Sequence, residues 1–175
     1  ATAFVKSTPE LEIPDLQFFC RVGSFETREW FPLLRPPRPD GFSIRVCQLR
    51  PESRGSVTLA SSDPAEKTRI VNNLLATETD RRVLRDGVKI IRELADQEPL
   101  RPLWTAEVPS GDAIRTDADI DTFIRRTLAT VFHPSCTCRM GSDAEAEVDP
   151  ELRVRGVDGL RVVDASIMPT ITSGN

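Results

Sequence analysis

Four prolines crowd into residues 31–41, FPLLRPPRPDG. Each removes a backbone donor and restricts the residue before it, so neither a helix nor an interior strand can run through this stretch. It reads as a connector or surface loop, and the flanking segments are therefore separate elements. Before it, residues 16–22, LQFFCRV, form an apolar and aromatic run closed by Gly23, the pattern of a buried strand. After it, residues 42–50, FSIRVCQLR, alternate apolar and polar side chains at the two-residue period of a strand with one face on a core. Turn residues at 51–55 lead to SVTLA at 56–60, and the last two segments together predict an antiparallel hairpin.

The period then changes. Residues 79–95, TDRRVLRDGVKIIRELA, set Val83, Leu84, Val88, Ile91 and Leu94 near helical spacing with charged residues between them. A second amphipathic helix is expected at 117–130, capped by Asp117, with Ile120, Phe123, Ile124 and Leu128 marking one face. It delivers the chain to His133. Farther on, LRV at 152–154 and LRVV at 160–163, separated by residues 156–159, predict two short strands. No repeat or sharp composition shift divides the chain. The expected fold is one α+β domain over residues 1–175, a mostly antiparallel sheet with amphipathic helices packed on it.

A length of 175 residues with 39% hydrophobic content suits one domain with a sizeable core. Lys and Arg total 23 against 27 Asp and Glu, a net charge of −4, with no basic cluster interleaved with aromatics, which argues against a nucleic-acid partner. No apolar run approaches the roughly 20 residues of a membrane span, and the start, ATAFVKSTPELEIPD, has no apolar core of a secretory signal. The expectation is a cytosolic chain with no transmembrane segment. A start at Ala1 instead of Met, and an end at Asn175 without a closing helix, read as cuts in a longer polypeptide.

Cys20, Cys47, Cys136 and Cys138 are sparse for a disulfide scaffold of this length and are expected as free thiols. Cys136 and Cys138 with His133 make three candidate ligands, where a structural zinc site takes four, so no metal site is expected. His133 is the only histidine and is followed by Pro134, which prevents an easy continuation of the helix. An imidazole with an unperturbed pKa of about 6.5 can accept and return a proton near neutrality. From the residue alone, general-base work and an ordinary partnered histidine both remain open. Likewise residues 161–169 read, by themselves, as a buried strand ending at a proline-containing turn, and Gly174 as a backbone turn.

The ordered stretches HPSCTCRMG at 133–141, GLRVVDASIMP at 159–169 and Ser173-Gly174-Asn175, preceded by PESRGSVTL at 51–59, resemble the glucose-methanol-choline oxidoreductase family. The resemblance is to its C-terminal substrate-binding domain and covers most of the chain. Many members have glycine where Cys136 stands, and the cysteine is similar to choline and alcohol dehydrogenase-like members. The resemblance implies FAD as cofactor and a small-molecule alcohol as substrate. It matches His133 to the active-site base and Asn175 to the second active-site position, which is Asn or His in different members. Asp164, Ala165 and Ser166 match a segment that approaches the ribityl and pyrophosphate region of the flavin. The implied reaction removes the hydroxyl proton while the carbon gives a hydride to flavin N5, yielding an aldehyde or ketone.

A pyrophosphate-binding domain needs a glycine-rich turn between a strand and a helix, and no GxGxxG occurs in the chain. The doubly wound FAD-binding domain is thus expected to be a missing N-terminal partner on the same polypeptide. The 175-residue piece alone is expected to bind flavin weakly or not at all and to have no turnover. Two other readings stand beside oxidation: a hydroxynitrile lyase-like relative, and a noncatalytic binding module.

Overall fold

A computed structural model describes residues 1–23, 31, 41–108 and 113–174. It comprises two compact units, Ala1–Gln48 with Arg81–Leu128, and Leu49–Asp80 with Ala129–Asn175.

The first unit holds a three-stranded antiparallel sheet of β1 (Thr2–Val5), β2 (Leu16–Val22) and β3 (Phe42–Gln48), in the order β1-β2-β3. The LQFFCRV run forms β2 with the expected bounds, but only its first half is buried, and Val22 is 91% exposed. β2 pairs with β3 along its whole length, from Leu16 opposite Gln48 to Val22 opposite Phe42. The predicted partner of β3 was instead the 56–60 segment. Seven residues of β2 supply a full ladder for β3, which the short following segment does not. Of the proline-rich connection, residues 32–40 lie outside the described residues.

Helix α1 (Glu78–Ala95) packs its first-unit portion on this sheet, and α2 (Asp117–Thr127) accompanies it. The core is Leu16, Phe18 and Val83, with Val5, Ile44, Val46, Ile90 and Ile91 against it. At Gly87 an added Cβ would stand 2.7 Å from Val46 Cγ2 and 3.3 Å from Leu16 Cδ1, so the glycine lets the helix approach the sheet closely. The expected helical face is correct at Val83 and Leu84, whereas Leu94 is 37% exposed near the helix end.

The cap of α2 is Thr116, not Asp117: its hydroxyl accepts the Asp119 N–H while the Asp119 carboxylate accepts the Thr116 N–H, a capping box. The helix ends at Thr127, three residues short of the expected Thr130. Ile120 and Ile124 form its buried face, and Arg85 holds it to α1 by two 2.7 Å bonds to the Asp121 carboxylate.

In the second unit, β4 (Ser56–Thr58) pairs antiparallel with β5 (Arg69–Val71). The 51–55 segment is pinned instead of turning back on β3. The Asp80 carboxylate accepts the N–H groups of Glu52 and Ser53 at 2.9 and 2.8 Å, and the Ser53 hydroxyl accepts that of Ala76 at 2.9 Å. A Cβ on Gly55 would collide with the carbonyl oxygens of Val71 and Asn72, so PESRG needs glycine there. The two strands expected near 152–163 are reduced to isolated antiparallel bridges, Arg153 opposite Arg161 and Val154 opposite Val148. Leu152, at a φ of 68°, and the turn through Gly156 and Gly159, at 78° and 74°, bend the chain before a ladder can extend. The fold is α+β, with antiparallel strand pairing and two amphipathic helices.

Candidate functional site

The candidate residues with described positions lie in the second unit. Two features fix the backbone around His133. Phe132 before it has a φ of 62°, a left-handed conformation that a bulky residue rarely adopts, and Pro134 after it favours an extended backbone at residue 133. Strain of this kind is typical of segments whose geometry serves a site. The His133 side chain is exposed to approach from outside the unit.

The segment after His133 runs along the one that carries Asp164, Ala165 and Ser166. Cys136 N–H donates to the Ala165 carbonyl at 3.4 Å, Cys138 N–H to that of Ser166 at 2.9 Å, and Met140 N–H to that of Ile167 at 2.8 Å. Two stretches about thirty residues apart in sequence are thereby joined side by side. Val148 and Ala146, both buried, anchor the far end of this strap, where Gly141 N–H donates to the Val148 carbonyl at 3.1 Å. Arg139 grips Asp143 by two bonds of 2.9 and 2.8 Å, which hold the Asp143 carboxyl far below the usual carboxylate range. A Cβ on Gly141 would approach Asp143 Oδ2 to 2.7 Å and disturb this grip.

Asp164 caps the 3₁₀ turn Ala165–Ile167, its Oδ1 accepting the Ser166 N–H at 2.8 Å and the Ser166 hydroxyl. The hydroxyl bond first, then the backbone one, keeps its carboxyl below the usual range, so it is ionised at neutral pH. Among the described residues, no hydrogen bond takes the Ala165 N–H, and both Asp164 and Ala165 are exposed. An ionised acceptor beside an open N–H donor fits the hydroxyls of a polyol chain, such as the ribityl of a flavin. The carboxylate would repel a pyrophosphate, so this turn fits the ribityl part of the expected flavin segment and not its phosphates.

Asn175 lies outside the described residues. Its neighbour Ser173 is held through its hydroxyl by the Arg50 guanidinium, and Gly174 turns the chain with a φ of 95°. Sequence reasoning missed Arg50, Asp80 and Ser53. Thr77 and Asp80 do carry a signal, since the Thr-x-x-Asp spacing matches a helix start, and Thr77 Oγ1 accepts the Asp80 N–H at 3.2 Å. Arg50 carries none. None of the four cysteines forms a disulfide, and burial pushes the Cys47 thiol up. Among the described residues, no group of three His, Cys, Asp or Glu side chains could hold a metal ion, and no helix is long and apolar enough to cross a membrane.

A family model described as GMC oxidoreductase matches residues 51–175. The oxygen-dependent choline dehydrogenase of Pseudomonas fluorescens (strain SBW25) is 42% identical over 181 residues, covering 100% of this chain and 30% of that protein. The protein of the same name from Acinetobacter baumannii (strain AYE) is 40% identical, with 100% and 31% covered. Among solved structures, pyridoxine 4-oxidase from Mesorbium loti matches with a TM-score of 0.77 at 30% identity, over 99% of this chain and 34% of that one. A variant of Aspergillus oryzae RIB40 formate oxidase, made to study its FAD modification, matches at 0.81 and 30% identity, over 94% and 29%. The chain thus spans about 30% of the length of the curated relatives it matches.

Proposed function

Because this chain belongs to the GMC oxidoreductase family, we propose that it is the C-terminal substrate-binding domain of an FAD-dependent enzyme that oxidises a primary or secondary alcohol to an aldehyde or ketone. FAD, when bound, supplies the acceptor for the hydride that leaves the carbinol carbon. His133 takes the hydroxyl proton, and Asn175 donates a hydrogen bond to the same oxygen. Hydride departs more easily as negative charge grows on that oxygen, so a base and a donor converging on it lower the barrier. Asp164 and the Ala165 N–H hold ribityl hydroxyls, and Ser166 orients the Asp164 carboxylate through its hydroxyl and N–H. The nucleotide end of FAD belongs to an N-terminal domain of the same polypeptide, and the enzyme is cytosolic.

The observation that supports this reading is the backbone strap that ties residues 136–140, just after His133, to residues 165–167, just after Asp164. Choline, a primary alcohol, is the first substrate to test, given the name shared by two relatives about 40% identical to this chain. In the full-length protein, His133→Ala is expected to lower alcohol oxidation by about 10²-fold or more while FAD absorbance stays at the wild-type level. Unchanged turnover would remove His133 from the mechanism. Cyanide release from a cyanohydrin without alcohol oxidation would favour a lyase.

A further inference from the structure

We propose that Arg139 and Asp143 form a positioning pair for the flavin-side turn at 164–166, acting through the strap of residues 136–140. This rests on the reading of that turn as the holder of ribityl hydroxyls. Arg139 stands between two rungs of the strap: the Cys138 N–H donates to the Ser166 carbonyl at 2.9 Å, and the Met140 N–H to the Ile167 carbonyl at 2.8 Å. Its own carbonyl accepts the N–H groups of Glu147 and Val148, at 3.0 and 3.4 Å. One residue thus joins the support of the turn to the segment that carries the buried Ala146 and Val148. Among the described residues, the three rungs from Cys136, Cys138 and Met140 are the backbone hydrogen bonds that tie residues 165–167 to another part of the chain. The turn is placed as accurately as the strap is.

The side chains lock that junction. Arg139 Nη1 and Nη2 donate to Asp143 Oδ2 and Oδ1 at 2.9 and 2.8 Å, a bidentate fork, and Oδ1 also accepts the Glu145 N–H at 3.1 Å. The fork closes directly over Gly141, where an added Cβ would stand 2.7 Å from Asp143 Oδ2 and 3.1 Å from Arg139 Nη1. Arg155 Nη2 holds the same glycine from a later stretch of the unit, donating to its carbonyl at 2.9 Å. The side chains of the pair are 32% and 54% exposed, so the pair adds little to global stability. Its effect falls on local order. A turn already in its binding conformation receives the flavin without an ordering cost, whereas a loose one weakens binding by the fraction of time it is out of place.

The test uses the full-length protein, stripped of flavin and titrated with FAD, as wild type and as Arg139→Met, Arg139→Lys, Asp143→Asn, Gly141→Ala, and Arg139→Met combined with Asp143→Asn. Arg139→Met and Asp143→Asn are each expected to raise the FAD Kd about fivefold, with the unfolding midpoint of the flavin-free protein near wild type. The double variant is expected to be no worse than either single one, because both remove the same contact. Gly141→Ala should raise Kd in the same way by prising the fork open. Arg139→Lys should recover part of the loss, since an ammonium can still donate to one carboxylate oxygen. Multiplicative losses in the double variant, or a fall in the flavin-free midpoint that tracks the rise in Kd, would overturn the proposal. Asp164→Ala is measured alongside. If it raises Kd and Arg139→Met does not, the pair fails and the turn keeps its role; if Asp164→Ala leaves Kd unchanged, both fall together.

Discussion

At Cys136 the backbone φ is 70°, in the region where an L-residue costs about 1–2 kcal/mol relative to an ordinary conformation. Its N–H is the first rung of the strap to Ala165, so the conformation is set by the partner strand of chain and not by the side chain. A glycine would adopt this φ without that cost. Cys136→Gly is expected to leave stability within about 0.5 kcal/mol, because relief of strain offsets the greater freedom of the unfolded chain, whereas Cys136→Val should lose about 1 kcal/mol or more. Thermal unfolding of the full-length variants checks this, and a cost for glycine as large as that for valine would contradict it. Asp164 illustrates the opposite relation: its carboxylate conformation is fixed by two bonds within its own turn.

The helices show how charge and capping act over one element. Asp121 on α2 is held below the usual carboxylate range chiefly by the hydrogen bonds of Arg85, with the charges of Arg85, Arg125 and Arg81 adding to it. A folded-state pKa below the unfolded one stabilises the fold above the unfolded pKa, and the contribution is lost as pH falls through the depressed value. Asp121→Asn is therefore expected to lower stability by up to about 1 kcal/mol at neutral pH, a partly exposed pair being worth no more. The difference from wild type should shrink steadily below a pH of about 4. Unfolding measured across that range tests it, and a loss independent of pH would assign the effect to packing. Both helix positions were legible because a 3.6-residue period is written in consecutive residues, whereas the cap of α2 was read one residue late, at Asp117 instead of Thr116. Strand partners were not, because a period of two says which face is apolar and nothing about which neighbour completes the ladder.

Across the molecule, each compact unit is assembled from two separate stretches of sequence, so neighbours in the chain are often in different units. The stretch 49–80 joins 129–174 in one of them, which is how Arg50 comes to bond the Ser173 hydroxyl. The chain covers about 30% of its curated relatives' length and contains no glycine-rich phosphate turn. Purified as the 175-residue chain, it is expected to show no bound flavin absorbance and no alcohol-dependent dye reduction. A yellow preparation with one flavin per chain would refute this. The acidic carboxylate of Asp164, suited to hydroxyls, supports the same expectation, since it leaves the phosphates to other residues.

The sequence by itself determined the helices, the β2 strand and the family, and nominated His133, Asn175, Asp164, Ala165 and Ser166 as candidates, because local periodicity and ordered motifs are properties of contiguous residues. Only the tertiary structure decided that β3 pairs back to β2, that β4 pairs with β5, that the His133 segment is strapped to the Asp164 turn, and that Arg50 reaches Ser173. Those are contacts between distant positions. Their energies depend on which donors and carbonyls meet after collapse, and no spacing along a single chain encodes that meeting.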